Sequence, residues 1–266
     1  MKVYIQFDFE GVAGFVIRDN EDRNIPTVLD RTRRFMKIAS AEVAAAANGA
    51  FSAGADEVVI WDSHGSGNTL LIEELPEKAE LITGEYVRGP WLPFFEGADI
   101  GIYIGGHAMT GTPNAVTPHT RIGVNGRAYG EVGMFILECG SQGVPVVLVS
   151  GDTAVKREIA DLVPQSEYVA TKDAVGPTLA KSITPELSCK RIFEAAKRGT
   201  MNYKKMACCR VAAPYTFCFE KGEENISYTD PGSDFLTAYR RFLKKHFNCT
   251  GGWPEYNIPN ESYGVD

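Results

Sequence analysis

The chain has 266 residues, 44% of them hydrophobic and 23% charged, with a formal net charge of −7. Such a chain is long enough and apolar enough to bury a real core, as one large domain or a domain with a smaller appendage, and its composition gives no sign of disorder. The acidic balance argues against a nucleic-acid partner, because the one basic cluster, Arg240, Arg241, Lys244 and Lys245, reads as a solvated helix face.

Met1 and Lys2 lead straight into the apolar run Val3–Phe7, which Asp8 closes, so no signal-peptide h-region is expected. No apolar run reaches the ~18 residues of a membrane span, and a cytoplasmic location is expected. The six cysteines (139, 189, 208, 209, 218 and 249) have no CxxC spacing and are expected as reduced core thiols. Three N-x-S/T sequons, at Asn225, Asn248 and Asn260, carry no weight in such a chain.

In chain order, the first predicted strand is Lys2–Phe7. A helix follows over Arg31–Ala53, where Met36, Ile38, Ala39, Val43, Ala46 and Ala47 recur at helical spacing and Gly54 ends the pattern. Further strands are expected at Glu57–Trp61, Ile100–Ile104 and Val144–Val149, with helices at Glu131–Cys139, ended by Gly140, and at Ala154–Leu162. Thr120–Gly130 reads as a hairpin turning at Asn125-Gly126, the residue pair of a type I′ turn, and it delivers Glu131 to a helix start. After Thr200 the pattern loosens to a strand near Arg210–Phe219, a helix near Ser233–Phe247 and a Pro/Gly/aromatic tail from Gly251. Strands alternating with helices give the expected fold class, a three-layer α/β/α arrangement on a largely parallel central sheet with a smaller C-terminal α+β segment.

Three of these strands end in polar residues unsuited to a core: Asp8-Phe-Glu10-Gly11, Asp62-Ser-His64-Gly65 and Gly105-Gly-His107. The carboxyl ends of strands in an open α/β sheet line one crevice, so these segments converge there. Asp8 and Glu10, two apart in extended chain, can point the same way, and two carboxylates that close call for a cation between them. His64 and His107 add imidazoles suited to zinc, and Glu131 adds a third carboxylate. Five such donors exceed what one catalytic zinc takes but suit a pair if Asp8 bridges.

His119 stands on a loop free to turn back over the pocket, with three roles open to it: a sixth ligand, a proton shuttle or an oxyanion stabiliser. A catalytic role outside the metal shell is preferred. Asp62 and Asp152 are candidates either to orient ligand histidines from behind or to cap helices. His246, in the basic helix, is expected at the surface.

Five ordered blocks resemble the zinc-dependent D-aminopeptidases of the M55 peptidase group, once described as dipeptide-transport proteins. They are Asp8-Phe-Glu10-Gly11, Val58-Val-Ile-Trp-Asp62-Ser63-His64, Gly106-His107-Ala108 with Thr112-Pro113, His119, and Gly130-Glu131-Val-Gly133. The resemblance covers about residues 1 to 190. It implies two Zn²⁺ per chain at Asp8, Glu10, His64, His107 and Glu131, with His119 as the catalytic residue, proposed there as nucleophile. It also implies a short peptide or amino-acid amide as substrate, a preference for D residues, and a ring-shaped homo-oligomer, a decamer. Residues 1–199 are then the catalytic domain and 200–266 a smaller segment for subunit contacts, where this chain departs from the family pattern. Two rival readings are a dinuclear metal phosphoesterase, for which the ligand blocks lack Arg or Lys and only Arg121 and Arg127 stand near, and a non-catalytic peptide-binding protein associated with transport. A dinucleotide-binding domain is the weakest, because Gly11-Val-Ala-Gly14 is not GxGxxG.

Overall fold

The computed structural model of the chain describes residues 1–16, 25–84, 91–221 and 224–246. The expected tail from Gly251, Cys249 and the side chain of His246 lie outside the described residues.

The elements follow in order as β1 (Lys2–Phe7), α1 (Pro26–Ser52), β2 (Glu57–Asp62), β3 (Ala79–Ile82), β4 (Ile100–Gly106), β5 (Ile122–Val124), β6 (Arg127–Tyr129), α2 (Glu131–Ser141), β7 (Val146–Asp152), α3 (Thr153–Ile159), β8 (Glu167–Gly176), β9 (Leu179–Ser182), α4 (Pro185–Asn202), β10 (Tyr215–Lys221), β11 (Glu224–Asp230) and α5 (Phe235–His246). Seven strands form the main sheet in the order β3-β2-β1-β4-β7-β8-β9, parallel throughout except for the antiparallel pair β8–β9. The predicted α/β class and parallel sheet are what the chain adopts. From β1 the chain builds outward through β2 and β3, then returns to lay β4 on the other side of β1. The strand order therefore reverses between β1 and β4, the position where ligands enter such sheets.

One face of the sheet is covered by α1 and α4, whose Ala39, Val43, Ala46, Ala47, Ile192, Ala195 and Ala196 pack with Val3, Ile5, Ile60 and Ile102. The small residues let the two helices close up: Gly49 lies so near α4 that an added Cβ would stand 2.4 Å from the Phe193 carbonyl oxygen. On the other face, α2 sends Val132, Phe135, Ile136 and Cys139 against Tyr4, Tyr103 and Val149, and α5 joins through Phe235, Tyr239 and Phe242. A second, antiparallel sheet, β11-β10-β5-β6, sits on this side, so the segment after residue 200 pairs directly with the hairpin that leads to Glu131.

That hairpin turns as expected, with positive φ at both Asn125 (49°) and Gly126 (84°). Strands β3, β8, β9 and β11 and helix α4 were not read from the sequence. Helix α4 had left a signal: Thr184 caps it by accepting from Leu187 N–H, and Pro185 follows at the first helical position. The expectation of core thiols holds only for Cys139, since Cys218 is exposed and Cys189, Cys208 and Cys209 are half-buried. The basic face of α5 is partly engaged, Arg240 with the Trp91 and Leu92 carbonyls and Arg241 with Asp230. No helix among the described residues is long and apolar enough to cross a membrane.

Candidate metal centre

Register brings the polar strand ends to one level. Phe7 on β1 is the partner of both Asp62 on β2 and Ile104 on β4, and Gly106 on β4 is the partner of Gly151 on β7. Asp8, His64 and His107 therefore leave the sheet side by side. Backbones crowd here, and glycine permits it: Gly105 has φ of 81°, and a Cβ there would lie 1.9 Å from the Asp8 carbonyl oxygen. The Gly11 N–H closes the arrangement by donating to the Gly105 carbonyl at 2.7 Å.

Two donor groups result, Asp8 with Glu10 and His64, and His107 with His119 and Glu131, the ligand-capable atoms in each lying within 4.8 Å of one another. His64 Nε2 stands 3.4 Å from Glu10 Oε1, while His107 Nε2 stands 3.3 Å from Asp8 Oδ2 and 3.4 Å from Glu131 Oε1. Asp8 thus belongs to one group and faces the other. His119 Nε2 is farther, 3.8 Å from Glu131 Oε1, and its side chain is 47% exposed.

Hydrogen bonding fixes how the rings are turned. The Nδ1 of His107 meets the Ala108 carbonyl at 2.9 Å and that of His119 meets the Thr117 carbonyl at 2.9 Å. A carbonyl only accepts, so each Nδ1 carries a hydrogen, and in the neutral ring the lone pair on Nε2 faces the carboxylates. His64 Nδ1 is held by the Thr69 hydroxyl at 2.9 Å. Asp8 Oδ2, Glu10 Oε2 and His107 Nε2 are buried without a hydrogen-bond partner. Native interiors rarely leave such atoms unmet. Two ligands ~2.0–2.1 Å from a tetrahedral zinc stand about 3.4 Å from each other, which is the spacing found here. The residues fit a pair of divalent cations by donor type, by spacing and by these orphaned atoms.

Without cations, protons take their place. Burial together with Glu10 pushes the Asp8 carboxyl well above its usual range. Burial alone would lower His107, but Glu131, Asp8 and Glu10 carry it up to about 10. Burial would raise Glu10 and Glu131, yet His64 in the first case and His107 in the second hold both below the usual carboxylate range. One pocket holding so much positive demand among acids is the electrostatic mark of a cation site.

The candidate orienting residues act through backbone. Asp62 Oδ2 accepts from the N–H groups of Thr69 (2.6 Å) and Leu70 (2.8 Å), which places the Thr69 hydroxyl against His64. Asp152 Oδ1 caps α3 through Ala154 and Val155, and its Oδ2 accepts from Val116 N–H at 2.9 Å, in the loop that carries His119. That loop holds Asn114, Thr117 and Thr120 at φ of 53°, 43° and 54°. β-Branched residues there are strained, and strain of this kind persists where surrounding structure enforces it. Glu158 supplies part of that enforcement, accepting from the Thr112 hydroxyl at 2.5 Å and from Met109 N–H at 3.1 Å. Neither Glu158 nor Lys172 was singled out from sequence. Lys172 is buried, with Nζ donating to the Glu10 and Phe15 carbonyls.

Comparison with known proteins identifies the family. A family model described as Peptidase M55, D-aminopeptidase, matches residues 1–228. A D-aminopeptidase of Bacillus subtilis (strain 168) is 28% identical over 217 residues, which cover 77% of this chain and 76% of the relative. Among solved structures, the Zn-dependent D-aminopeptidase DppA from Bacillus subtilis, titled a self-compartmentalizing protease, superposes with a TM-score of 0.78 at 22% identity, covering 95% of this chain and 99% of that one. The chain is a hydrolase belonging to the D-aminopeptidases of peptidase family M55.

Proposed function

We propose that the pocket holds two zinc ions and removes N-terminal D-amino acids from short peptides or amino-acid amides. Asp8, Glu10 and His64 would hold one ion, and His107 and Glu131 the other, with Asp8 shared. The observation that carries this reading is that Asp8 Oδ2, Glu10 Oε2 and His107 Nε2 are buried with no hydrogen-bond partner among the described residues, the first and last of them facing each other at 3.3 Å. Zinc is favoured by the mixed imidazole and carboxylate donors and by the zinc dependence of the solved neighbour. Such a pair, when bound, supplies polarisation of the scissile carbonyl and a lowered pKa for the attacking water.

The chain's own residues do the rest. His119, half-exposed beside Glu131, stands where it can pass a proton to the leaving amine or attack the carbonyl itself, its ring held by the Thr117 carbonyl. The Asp152 and Glu158 contacts keep its loop over the pocket. Preference for D residues and a peptide substrate rest on the family. A phosphoesterase is disfavoured: Arg127 is paired with Asp161, and Lys172 Nζ is spent on main-chain carbonyls.

The neighbour's description as self-compartmentalizing supports a homo-oligomer, which we take as a decamer, with residues 1–199 as the catalytic domain and 200–266 shaping subunit contacts. A cytoplasmic location accords with the five described cysteines all being free thiols. The test is release of D-alanine and L-alanine from dipeptides, with and without chelator. Chelator-sensitive release of D-alanine supports the reading, and chelator-insensitive or L-only release contradicts it.

A further inference from the structure

The loop that carries Glu10 closes only partly on itself, the Val12 N–H donating to the Phe9 carbonyl and the Phe15 N–H to the Val12 carbonyl, both at 3.1 Å. The Gly11 N–H goes to the Gly105 carbonyl on β4, and four further polar groups between Glu10 and Phe15 are met by β8 and β9. Thr171 Oγ1 donates to the Gly11 carbonyl at 2.5 Å, and Ser182 Oγ accepts from Gly14 N–H at 2.7 Å. Lys172 Nζ donates to the Glu10 carbonyl at 2.6 Å and to the Phe15 carbonyl at 2.7 Å. Beyond these, Glu42 Oε1 accepts from Ala13 N–H at 3.1 Å. At the tip of the same hairpin the Pro177 carbonyl accepts from Thr117 N–H at 3.1 Å, two residues before His119. The hairpin therefore touches both the Glu10 loop and the His119 loop.

Lys172 is 2% exposed, and burying an ammonium is costly. Its two partners are neutral carbonyls, which a neutral donor would serve as well. What a lysine adds is reach and charge: one atom clasps both ends of the loop, and a cation lies behind an acidic pocket. The pairing fixes the peptide plane of Glu10 and so the direction in which its side chain leaves the backbone.

We propose that Lys172 is a positioning residue for the cation site formed by Asp8, Glu10 and His64, with the β8–β9 hairpin as the brace that aligns this site with the His119 loop. The inference rests on the two-cation reading of the pocket. It is tested by titrating metal-free, full-length protein with zinc by calorimetry against a competing chelator, resolving the two equivalents. In Lys172→Met one equivalent should weaken about 10- to 100-fold while the other stays within about 1.5-fold, and Lys172→Arg should recover most of the loss. Ser182→Ala, which removes the acceptor for Gly14 together with the hydroxyl's own bonds to the Thr171 and Ile183 carbonyls, should weaken the same equivalent by roughly threefold. A Lys172→Met protein that melts earlier yet binds both equivalents as the wild type does, or loses both equally, overturns the inference. If that variant does not fold, Ser182→Ala decides, and unchanged binding of both equivalents overturns it. Wild-type protein that binds fewer than two equivalents instead removes the two-cation reading, and this inference with it.

Discussion

The imidazoles of His107 and His119 lie face to face, their centroids 3.7 Å apart and their planes 15° from parallel. Both turn Nε2 toward the same oxygen of Glu131, at 3.4 Å and 3.8 Å. The two rings are near-equivalent in orientation but not in burial, 1% against 47% exposed. On the proposed reading the buried ring would hold a cation and the exposed one would meet substrate. His119→Ala should then keep two zinc ions per chain and lose about 10²- to 10⁴-fold in turnover, checked by elemental analysis beside a peptide assay. Loss of one ion in that variant would place His119 among the ligands.

Asp8 is the residue common to both halves of the pocket. Asp8→Asn should weaken both zinc equivalents, whereas Glu10→Gln and Glu131→Gln should each weaken one, and not the same one. Competitive zinc titration of the three variants reads this directly. A strong loss of only one equivalent in Asp8→Asn would refute the bridge.

Thr69 is the second contact of the His64 ring. Thr69→Val keeps the shape and removes the oxygen on Nδ1, so His64 should lose its fixed orientation. The expected result is about a 10- to 100-fold fall in affinity for one ion, with unfolding little changed. Equal affinity in the variant would leave the ring oriented by packing against Phe9 alone.

The metal-ligand candidates were legible because each ends a strand or begins a helix, and the alternation of strands and helices forces strand ends to one edge. Period and turn residues gave β1, α2 and the Asn125-Gly126 hairpin to within two residues and the end of α1, whose start at Pro26 lies five residues before the expected Arg31. Strand β8 was missed because Glu167–Gly176 is an edge-side strand of mixed polarity, without an apolar run. Lys172 and Glu158 were missed for a related reason. A lysine in a polar stretch and a glutamate in a short helix look solvated, and only the tertiary arrangement reveals that they end on the backbone of the pocket loops. The strain at Thr117 and Thr120 likewise leaves no trace in residue type, since threonine is not a residue that seeks positive φ.

Glu138 offers a test independent of the metal centre. Burial raises its carboxyl to about 8, its one acceptor contact being the Trp91 indole N–H at 2.9 Å. The unfolded chain gives up this proton near pH 4.5, the folded chain only near 8. Its contribution to stability is therefore whole below about pH 4.5 and is lost as pH rises toward 8, on the order of 5 kcal/mol over that window. Glu138→Gln keeps an acceptor for Trp91 and removes the ionisation. Chemical denaturation should find the variant close to wild type at pH 5 and clearly more stable at pH 8. Parallel pH profiles for the two proteins would show that Glu138 ionises normally.

If two cations sit between these acids and imidazoles, anomalous scattering from zinc-grown crystals should locate both. Two peaks are expected, one ~2.0–2.3 Å from donors of Asp8, Glu10 and His64, the other at like distance from Asp8, His107 and Glu131. A single peak, or zinc bound only elsewhere on the chain, would contradict the account.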